Sequence, residues 1–515
     1  MAHQCVLLNS TNTLSHGNSP STLEDVPLKR RPPTPDETPA KRPCLTRPAC
    51  HDGEAGSNGD AENFIKSNAH RHTIFSLLQT SSRRPPSSSS RIILPSRLIL
   101  QSFVSSHRSD GFKCSSLADD TFVTPPYACA FSYGAKRCGT PLLAVATEEG
   151  SVSVLDTSKR REWDFEPQRT TFQPHENGIF DVKWSLDDSM LATASGDKST
   201  RISSVETQNL LQLLQTHTGS VKCIAWDPSH RDILSTGSRD GKVCVWDLRI
   251  ASSRAGLGDG VPVLQPVITI HDAHGQMKST SRRRKLTPLP RSVTSVLYTG
   301  TRSHALISSG SFDGILKLWD IRLPVPDDPK RQIKSPCASS PDDATTMNSP
   351  TCRPRGISSL CAGFGPTSGL LFALGADSRL YTYSSPSLMP VEAETHPNLR
   401  ASFYVRLASS PCGRWLASGC SGKNGSSFLF DVSNAARLSA SPHSRKSLAA
   451  AVELRGQTGE VGAVDWAYET LATCADDGTV RLWRPNYDVY QKCLSDPDAE
   501  RWNWSWSQDA YPCER

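Results

Sequence analysis

The tetrapeptide Trp-Asp-x-Arg occurs twice in this chain, each time at the end of a short apolar run that follows an Asp-Gly pair. Residues 246–249 read WDLR after Asp240-Gly241, and residues 319–322 read WDIR after Asp313-Gly314. Glycine accepts the positive φ that a two-residue hairpin turn needs, so each pair predicts a turn between two antiparallel strands. The chain is therefore constrained to form short, closely connected β-strands.

These hairpins belong to a longer repeat. A strand, a polar turn, a strand of small residues, an acidic turn and an apolar strand recur along the chain. The Trp-Asp ending is typical of a WD-repeat β-propeller blade. Asp197 and Asp240 lie 43 residues apart, close to the ~40–45 residues expected for one blade. The wider spacings from Asp240 to Asp313 and from Asp313 to Asp377, 73 and 64 residues, indicate insertions.

The repeat divides the chain into three parts. Residues 91–485 are predicted to form an all-β fold, a seven-bladed WD-repeat β-propeller with polar, unstructured loops inserted at 275–291 and 323–355. The N-terminal extension, residues 1–90, is rich in Pro, Ser and Asn for most of its length, and we expect it to be disordered. Residues 486–515 form a tail whose tryptophans either dock a partner or pack under the ring.

Two features of the chain ends carry further expectations. The apolar stretches 92–94 and 98–100 predict a first strand that pairs with the last blade and closes the ring. Loosely spaced apolar residues at 62–80 predict a short amphipathic helix, which we expect to assist partner binding.

Two basic clusters in the extension resemble a bipartite nuclear import signal, which predicts a nuclear protein. The clusters lie about ten residues apart in chain that a receptor can reach. The alternative is a solvated group of charges. The candidate import residues are Lys29, Arg30, Arg31, Lys41 and Arg42.

The composition excludes several classes of protein. The 515 residues carry a net charge of +6, which is mildly basic and does not by itself predict nucleic-acid binding. The 16 cysteines contain no Cys-x-x-Cys pair, so neither a structural metal site nor a disulfide scaffold is predicted. Apolar runs are too short to span a membrane. No phosphate loop, nucleophile elbow or zinc-protease motif is present, so we expect no enzyme activity and no cofactor.

Polar residues inside the two Trp-Asp blades are predicted to be structural. A His before the first strand, a Ser or Thr on the second, the turn Asp and the Trp indole can form a buried hydrogen-bonded chain in which each group satisfies another. These histidines are therefore not interpreted as ligands or catalysts. The predicted members are His217, Thr236, Asp240 and Trp246 in the third blade, and His274, Ser309, Asp313 and Trp319 in the fourth.

The arginines that follow the two Trp-Asp pairs need a separate account. Arg249 and Arg322 leave their strands on the same face of the ring, opposite the Asp-Gly turns. The planar guanidinium has five donors and suits carboxylate or carbonyl acceptors across an interface. Two such groups on adjacent blades favour docking. The alternative is that each arginine only pairs with its own Asp247 or Asp320.

At these residues the chain resembles the WD-repeat substrate receptors of cullin-4 RING ubiquitin ligases, and within that group the denticleless type. The stretches 143–150, 180–184 and 402–405 and the basic segment 282–285 carry the resemblance. It implies that the propeller adaptor of the ligase binds at Asp247, Arg249, Asp320 and Arg322. Cullin-4 and the RING subunit would then be indirect partners. It also implies recruitment of replication or cell-cycle proteins bound to the DNA-loaded sliding clamp.

Substrate is expected on the other face, around the central channel. Side chains just ahead of first strands and in the turns point there, and aromatic and Arg anchors are the usual energetic centres of such surfaces. The basic segment 282–285 is a candidate for nonspecific DNA contact. A chromatin- or histone-binding scaffold outside any ligase is the alternative function. The candidate substrate residues are Phe180, Arg239, Ser292, Phe312, Phe403 and Tyr404.

Overall fold

The computed structural model of the chain describes residues 96–509 with internal gaps. The gaps are at 120, 160–168, 251–260, 277–289, 301–303, 323–332, 334, 348–352, 386 and 436–448. The helices are α1 Ser96–Gln101, α2 Tyr133–Lys136, α3 Ala344–Met347, α4 Tyr487–Ser495 and α5 Pro497–Glu500, with a 3-10 turn at Gly365–Thr367.

The strands form seven antiparallel groups in chain order. Before them lie β1 Phe103–Ser106 and β2 Gly111–Lys113. Blade one has β3 Pro126–Phe131, β4 Leu142–Thr147, β5 Val152–Asp156 and β6 Arg169–Phe172. Blade two has β7 Ile179–Trp184, β8 Met190–Ser195, β9 Thr200–Ser204 and β10 Leu210–Leu214. Blade three has β11 Val221–Trp226, β12 Ile233–Ser238, β13 Val243–Asp247 and β15 Ile268–Ile270. β14 Val263–Leu264 precedes β15 in the chain but pairs in parallel with β10 of blade two.

The second half of the ring repeats the pattern. Blade four has β16 Val293–Tyr298, β17 Ala305–Gly310, β18 Lys317–Asp320 and β19 Ala338–Ser339. Blade five has β20 Ile357–Ala362, β21 Leu370–Gly375, β22 Arg379–Ser384 and β23 Pro390–Thr395. Blade six has β24 Leu407–Ser409, β25 Trp415–Ser418, β26 Ser426–Asp431 and β27 Ala449–Arg455. Blade seven has β28 Val461–Trp466, β29 Leu471–Ala475 and β30 Thr479–Pro485, and β31 Trp504–Asp509 follows it.

The first strands of the seven blades surround a common centre. Each contacts the first strands of its two neighbours, and β28 contacts β3, so the circle is complete. The apolar core lies between adjacent blades: one buried cluster joins Ile179 and Val182 of blade two to Val152 of blade one, and another joins Trp246 to Ile202. This arrangement confirms the predicted all-β, seven-bladed propeller.

Closure of the ring differs from the prediction. Residues 98–100 lie in helix α1, where Ile99 and Leu100 are buried, and not in a strand. The closing strand is β1, whose Phe103 and Val104 pair with Pro485 and Arg484 of β30. The apolar character of the 98–100 stretch reflects packing of a helix turn against the strand edge, since burial by itself does not distinguish the two conformations.

The C-terminal segment is part of the ring edge. Strand β31 pairs with β1 on one side and with β27 on the other, which joins blades six and seven into one ten-stranded sheet. Trp504 and Trp506 lie in this strand, whereas Trp502 just before it is exposed. Within this strand, therefore, the tail packs at the outer edge of two blades and not under the ring.

Part of the second predicted insertion has regular secondary structure. Residues 338 and 339 form β19, the outer strand of blade four, where Ala338 pairs with Leu318. Helix α3 follows it, and Asp343 accepts a hydrogen bond from the Gly314 amide in the blade-four turn. The prediction that 323–355 is unstructured is wrong for these residues, because the blade needs an outer strand and takes it from within the insertion. Most of 275–291 lies outside the described residues.

A β-bulge recurs at the start of the first strands. In blade three, Val221 pairs with Ser238 and Cys223 with Gly237, so Lys222 is an extra residue between them. The pairing shifts at the same place in five other blades. Bulges re-aim side chains, and in blades one to three the side chain at the bulge lies at the mouth of the channel. The extra residues are Tyr127, Phe180, Lys222, Thr294, Ser358 and Gly462.

The hydrogen-bonded chain is present in blade three as expected from the sequence. The Trp246 indole donates to Thr236 Oγ1 at 2.9 Å, His217 Nε2 lies 2.8 Å from the same oxygen, and His217 Nδ1 lies 3.2 Å from the nearer Asp240 oxygen. All of these groups except the Asp240 edge are buried. Blade two has a similar pair of contacts from His175 to Thr193 and Asp197, without a tryptophan.

In blade four the prediction is wrong at two residues. The Trp319 indole and His274 Nε2 both bond Ser308, while Ser309 faces the other side of the strand and bonds Thr294. A shift of one residue along a strand moves a side chain to the opposite face. Asp313 makes no bond to His274, whose Nδ1 is buried without a partner among the described residues, and pairs with Arg291 instead.

The two histidines consequently titrate in opposite directions. Burial alone would lower the pKa of His217, but its hydrogen bond to the Asp240 carboxylate raises that pKa to about 9. Burial, with Lys317 and Arg291 nearby, lowers the pKa of His274 to about 3. His217 is therefore held as a cation at neutral pH, and His274 is held neutral.

Replacement of His217 by Gln, the residue that blade seven carries as Gln457, tests this assignment. The stabilisation from protonated His217 is fully present below pH 6.5 and is lost as the pH rises through about 9. We expect the stability difference between the wild type and His217→Gln to shrink over that window by about 3 kcal/mol, measured by calorimetry across pH.

His274→Gln is the matched control, with the opposite slope. Folded His274 resists protonation, so the wild type loses stability as the pH falls below 6.5 towards 3. The difference between wild type and His274→Gln should therefore shrink on acidification. Parallel pH profiles for the two variants would contradict the assignment of charge states.

Candidate protein-interaction faces

The propeller has two faces that the strands define. The turn face carries the hairpins between second and third strands, such as Asp240-Gly241 and Asp477-Gly478, and the starts of the first strands. The exit face carries the ends of the third strands, such as Asp247 and Asp320. The predicted adaptor residues lie on the exit face, and the predicted substrate residues lie on the turn face.

On the exit face, Arg249 forms a two-bonded pair with Asp247. Its Nε donates to Asp247 Oδ1 at 2.9 Å, its Nη2 donates to Oδ2 at 2.7 Å, and its amide donates to Oδ1 at 3.0 Å. Asp247 is buried, whereas 63% of the Arg249 side chain is exposed. The pairing therefore orients the guanidinium and leaves its outer edge open to a partner.

Blade four repeats this arrangement. Arg322 donates through Nε and Nη2 to the Asp320 carboxylate and through its amide to Oδ1, and 71% of its side chain is exposed. The hydrogen bonds from the arginines lower the pKa of both carboxyl groups, so both pairs are fully ionised at neutral pH. Each arginine does pair with its own aspartate, and that pairing leaves docking possible.

Other blades show which part of this motif is structural. The third strands of blades one and six also end in aspartate, and the amide two residues later donates to it: Ser158 to Asp156 and Ser433 to Asp431, both at 2.9 Å. The aspartate therefore fixes the turn that leaves the strand. Because serine satisfies the same turn, the two arginines are not required for it.

On the turn face, four aromatic rings meet at the mouth of the channel. The Tyr127 ring stacks on Phe180 at 6.0 Å between centroids and lies 5.0 Å from Tyr404, and Phe403 contacts Phe180 at 6.5 Å. Phe403 and Tyr404 are partly exposed. Three predicted substrate residues, Phe180, Phe403 and Tyr404, are thus brought together, with Tyr127 as a fourth member.

Basic side chains lie on one side of these rings. Lys222 Nζ is 3.0 Å from the Phe180 centroid and 4.5 Å from the Phe403 centroid. Arg406 reaches across the channel and donates to the carbonyls of Phe180 and Lys222 at 3.3 and 3.1 Å. Burial, with Arg406 and Arg239 nearby, lowers the pKa of Lys222 to about 7. Two arginines and a lysine whose burial disfavours its charged form therefore lie on this side of the mouth.

Carboxylates lie on the other side, towards blades seven and one. Burial, followed by the hydrogen bond to Glu148, raises the pKa of Tyr127 well above its ordinary value. Ser402 donates to Glu460 and accepts the Tyr404 amide at 3.0 Å, which fixes the segment that carries the two exposed rings. The mouth thus has an aromatic floor between an acidic side and a basic side.

The remaining predicted substrate residues form a second group. Ser292 Oγ donates to the Arg239 carbonyl at 3.4 Å, and the guanidinium of Arg291 lies 3.5 Å from the Phe312 centroid. Arg239 and Phe312 are exposed. Among the described residues, no ring contact joins Phe312 to the aromatic floor, so Phe312 borders the mouth, whereas Arg239 is close enough to Lys222 to lower its pKa.

Sequence reasoning missed Tyr127, Lys222 and Arg406, although a signal for the first two was present. Phe180 stands four residues before Trp184, the aromatic residue that ends its first strand. Tyr127 stands four before Phe131 and Lys222 four before Trp226. Alignment of the strand-ending aromatics would have found the equivalent bulge positions. The reach of Arg406 across the ring has no comparable local signal.

Several predictions fall outside the described residues. These are the disorder expected for residues 1–90, the import residues Lys29, Arg30, Arg31, Lys41 and Arg42, the helix at 62–80, the apolar stretch 92–94 and the basic segment 282–285. A central cavity of about 600 Å³ is lined by residues of all seven first strands. In the part of the chain that the structure describes, no group of His, Cys, Asp and Glu is placed to hold a metal ion. No helix there is long and apolar enough to cross a bilayer.

Two family models match parts of the chain, and both describe WD repeats. "Anaphase-promoting complex subunit 4 WD40 domain" matches residues 139–229, and "WD domain, G-beta repeat" matches residues 285–320 and 450–484. Together with the ring of seven blades and the indole-linked hydrogen bonds, they define the class. This is a WD-repeat β-propeller protein.

Curated relatives narrow the class. The chain is 31% identical to the Denticleless protein homolog of Danio rerio over 73% of this chain and 55% of that protein. It is 32% identical to the cell division cycle protein cdt2 of Schizosaccharomyces pombe over 66% of each chain. The Homo sapiens Denticleless protein homolog is 28% identical over 74% of this chain and 50% of its own. The chain belongs to the denticleless family, and it spans about half the length of its vertebrate relatives.

Proposed function

We propose that this chain is a non-catalytic substrate receptor of a cullin-4 RING ubiquitin ligase. The exit face docks the propeller adaptor of the ligase through Arg249 and Arg322, each held by its aspartate. The turn face receives replication or cell-cycle proteins bound to the sliding clamp and presents them for ubiquitination. Family membership supports this role, and a relative named as a cell division cycle protein fits it.

The observation that carries the adaptor assignment is the pair of exposed, pre-oriented guanidinium groups on neighbouring blades. An arginine that is already fixed by two hydrogen bonds to a neighbouring carboxylate loses little side-chain freedom when it binds. Serine at the equivalent turns of blades one and six shows that folding alone does not call for arginine there. A partner that binds both guanidinium groups accounts for the presence of arginine at these two positions, which the geometry of the turn does not explain.

The turn face suits the substrate for a different reason. Exposed aromatic rings backed by a rigid floor, with charged groups at the rim, are typical of an interaction hot spot. The floor is fixed by the bulges and by the Ser402–Glu460 hydrogen bond, so little order must be gained on binding. Because the two faces lie at opposite ends of the strands, adaptor and substrate can be bound at the same time.

The double variant Arg249→Ser with Arg322→Ser tests adaptor docking. These changes install the residue that blades one and six use, so we expect an unchanged melting temperature. We expect roughly tenfold or greater loss of affinity for the adaptor, since arginines are common hot spots. Co-purification with the adaptor and cullin-4, followed by titration of the purified adaptor, measures the loss.

Arg455→Ser is the matched control, because Arg455 makes the same two-bonded pair with Glu453 but lies on the outer strand of blade six. It should retain full adaptor binding. Full binding by the double variant, at normal stability, would reject the exit-face docking site. Absence of adaptor and cullin-4 from the wild-type purification would instead favour the chromatin-binding scaffold.

Substrate binding is tested with Phe403→Ala and Arg239→Ala. Both side chains are exposed on the turn face, so the ring should stay folded while the affinity for a clamp-bound degron peptide falls roughly tenfold for Phe403→Ala and less for Arg239→Ala. Phe364→Ala removes a similarly exposed ring beyond the end of a first strand, on the exit face, and should bind the peptide normally. Undiminished peptide binding by both turn-face variants would move the substrate site elsewhere.

A further inference from the structure

The side chain of Lys222 is buried, and a buried ammonium group ordinarily has a carboxylate partner. Only 7% of the residue is exposed, and its Nζ lies over the rings of Phe180 and Phe403. Among the described residues, no carboxylate oxygen lies within 4.0 Å of it and no acceptor forms a hydrogen bond with it. Cation–π attraction is generally weaker than the hydration that burial removes, so the rings offset only part of that loss.

The cations around Lys222 increase the imbalance. Arg406 lies at the same mouth and donates hydrogen bonds to two backbone carbonyls. Burial, Arg406 and Arg239 together lower the pKa of Lys222 to about 7. Neither arginine forms an ion pair with a carboxylate in the described part of the chain. Lys222, Arg239 and Arg406 therefore lie on one side of the mouth, and no carboxylate of the described residues is paired with any of them, since Glu148 and Glu460 lie on the other side.

The fold does not require an ammonium group at this position. The equivalent extra residues of blades four, five and seven are Thr294, Ser358 and Gly462, which are small and neutral. The bulge is therefore compatible with an uncharged side chain. A lysine that only filled space would be replaceable by methionine, which has a similar length without the desolvated charge.

We propose that Lys222, flanked by Arg239 and Arg406, forms an anion-binding site that receives an acidic group, a carboxylate or a phosphate, carried by the protein segment that docks on the turn face. This assignment rests on the proposed function for its ligand, because it names the chemistry of the group that the substrate face selects. The Phe180 and Phe403 rings flank the site, so an acidic group beside an apolar or aromatic one fits best.

Small aromatic probes test the site on the full chain without any partner. Phenylacetate and phenyl phosphate carry the two candidate anions, and benzylamine carries the opposite charge on the same ring. At matched ionic strength we expect saturation-transfer NMR to detect binding of both anions and not of benzylamine. A preference for phenyl phosphate would point to a phosphorylated segment, and a preference for phenylacetate would point to Asp or Glu.

Substitutions of Lys222 and Arg239 test whether these residues form the anion-binding site. Lys222→Met should weaken anion binding at least tenfold, Lys222→Arg should retain most of it, and Arg239→Ala should weaken it by a smaller factor. Lys492→Met, which removes an exposed lysine of helix α4, should have no effect. Because Arg239 is exposed, its variant keeps the test decisive if Lys222→Met does not fold.

The result that overturns the proposal is equal binding of the three probes, or anion binding that survives both Lys222→Met and Arg239→Ala. This outcome is separable from failure of the receptor role. Adaptor binding with no anion binding would remove only the anion site. Anion binding by a chain that never co-purifies with the adaptor would remove the ligase role and leave the site in place.

Discussion

Closure of the ring is the constraint on which the rest of the structure depends. The apolar cores lie between adjacent blades, so no blade can bury its own residues unless both neighbours are present. The pairing of β1 with β30 supplies the outer strand of blade seven from the N-terminal side of the propeller. Strand β31 then links β1 to β27, which ties the outer edges of two blades together. The same pairing also covers strand edges that would otherwise be open to other chains.

The closed ring also creates the surface that we assign to substrate. First strands crowd together at the centre, and six of them have a bulge near their start, which in blades one to three places a side chain at the mouth. Three of the residues there, Tyr127, Phe180 and Lys222, belong to consecutive blades and make a continuous aromatic and basic surface. The bulge thus determines where these side chains lie, and the residue type at each bulge determines whether that part of the surface is aromatic or basic.

Much of this fold was predictable from sequence, because turn glycines and strand-ending tryptophans have fixed roles. The prediction for blade three was correct in every member of the hydrogen-bonded chain, whereas the prediction for blade four was wrong at Ser309 and at Asp313. Two adjacent serines, Ser308 and Ser309, give no local signal of which faces the indole. The closing strand was misplaced for a related reason: residues 98–100 form the more apolar stretch, whereas the strand Phe103–Ser106 ends in two serines and is defined only by its pairing with β30. The roles of Arg406 and β31 depend on contacts across the ring that no local pattern records.

The two faces differ in how they hold charge, and this difference bears on how each would bind. On the exit face the charge of each arginine is already neutralised by its aspartate. A partner therefore benefits from the fixed orientation of the guanidinium groups and gains little from neutralising their charge. On the turn face the cation of Lys222 has no such partner, so the favourable electrostatic energy remains to be gained from the ligand. The paired arginines of the exit face suit a single, invariant partner that recognises the shape and the donor directions of the guanidinium groups. The lysine of the turn face suits discrimination among ligands, because a segment without an acidic group leaves the buried charge uncompensated.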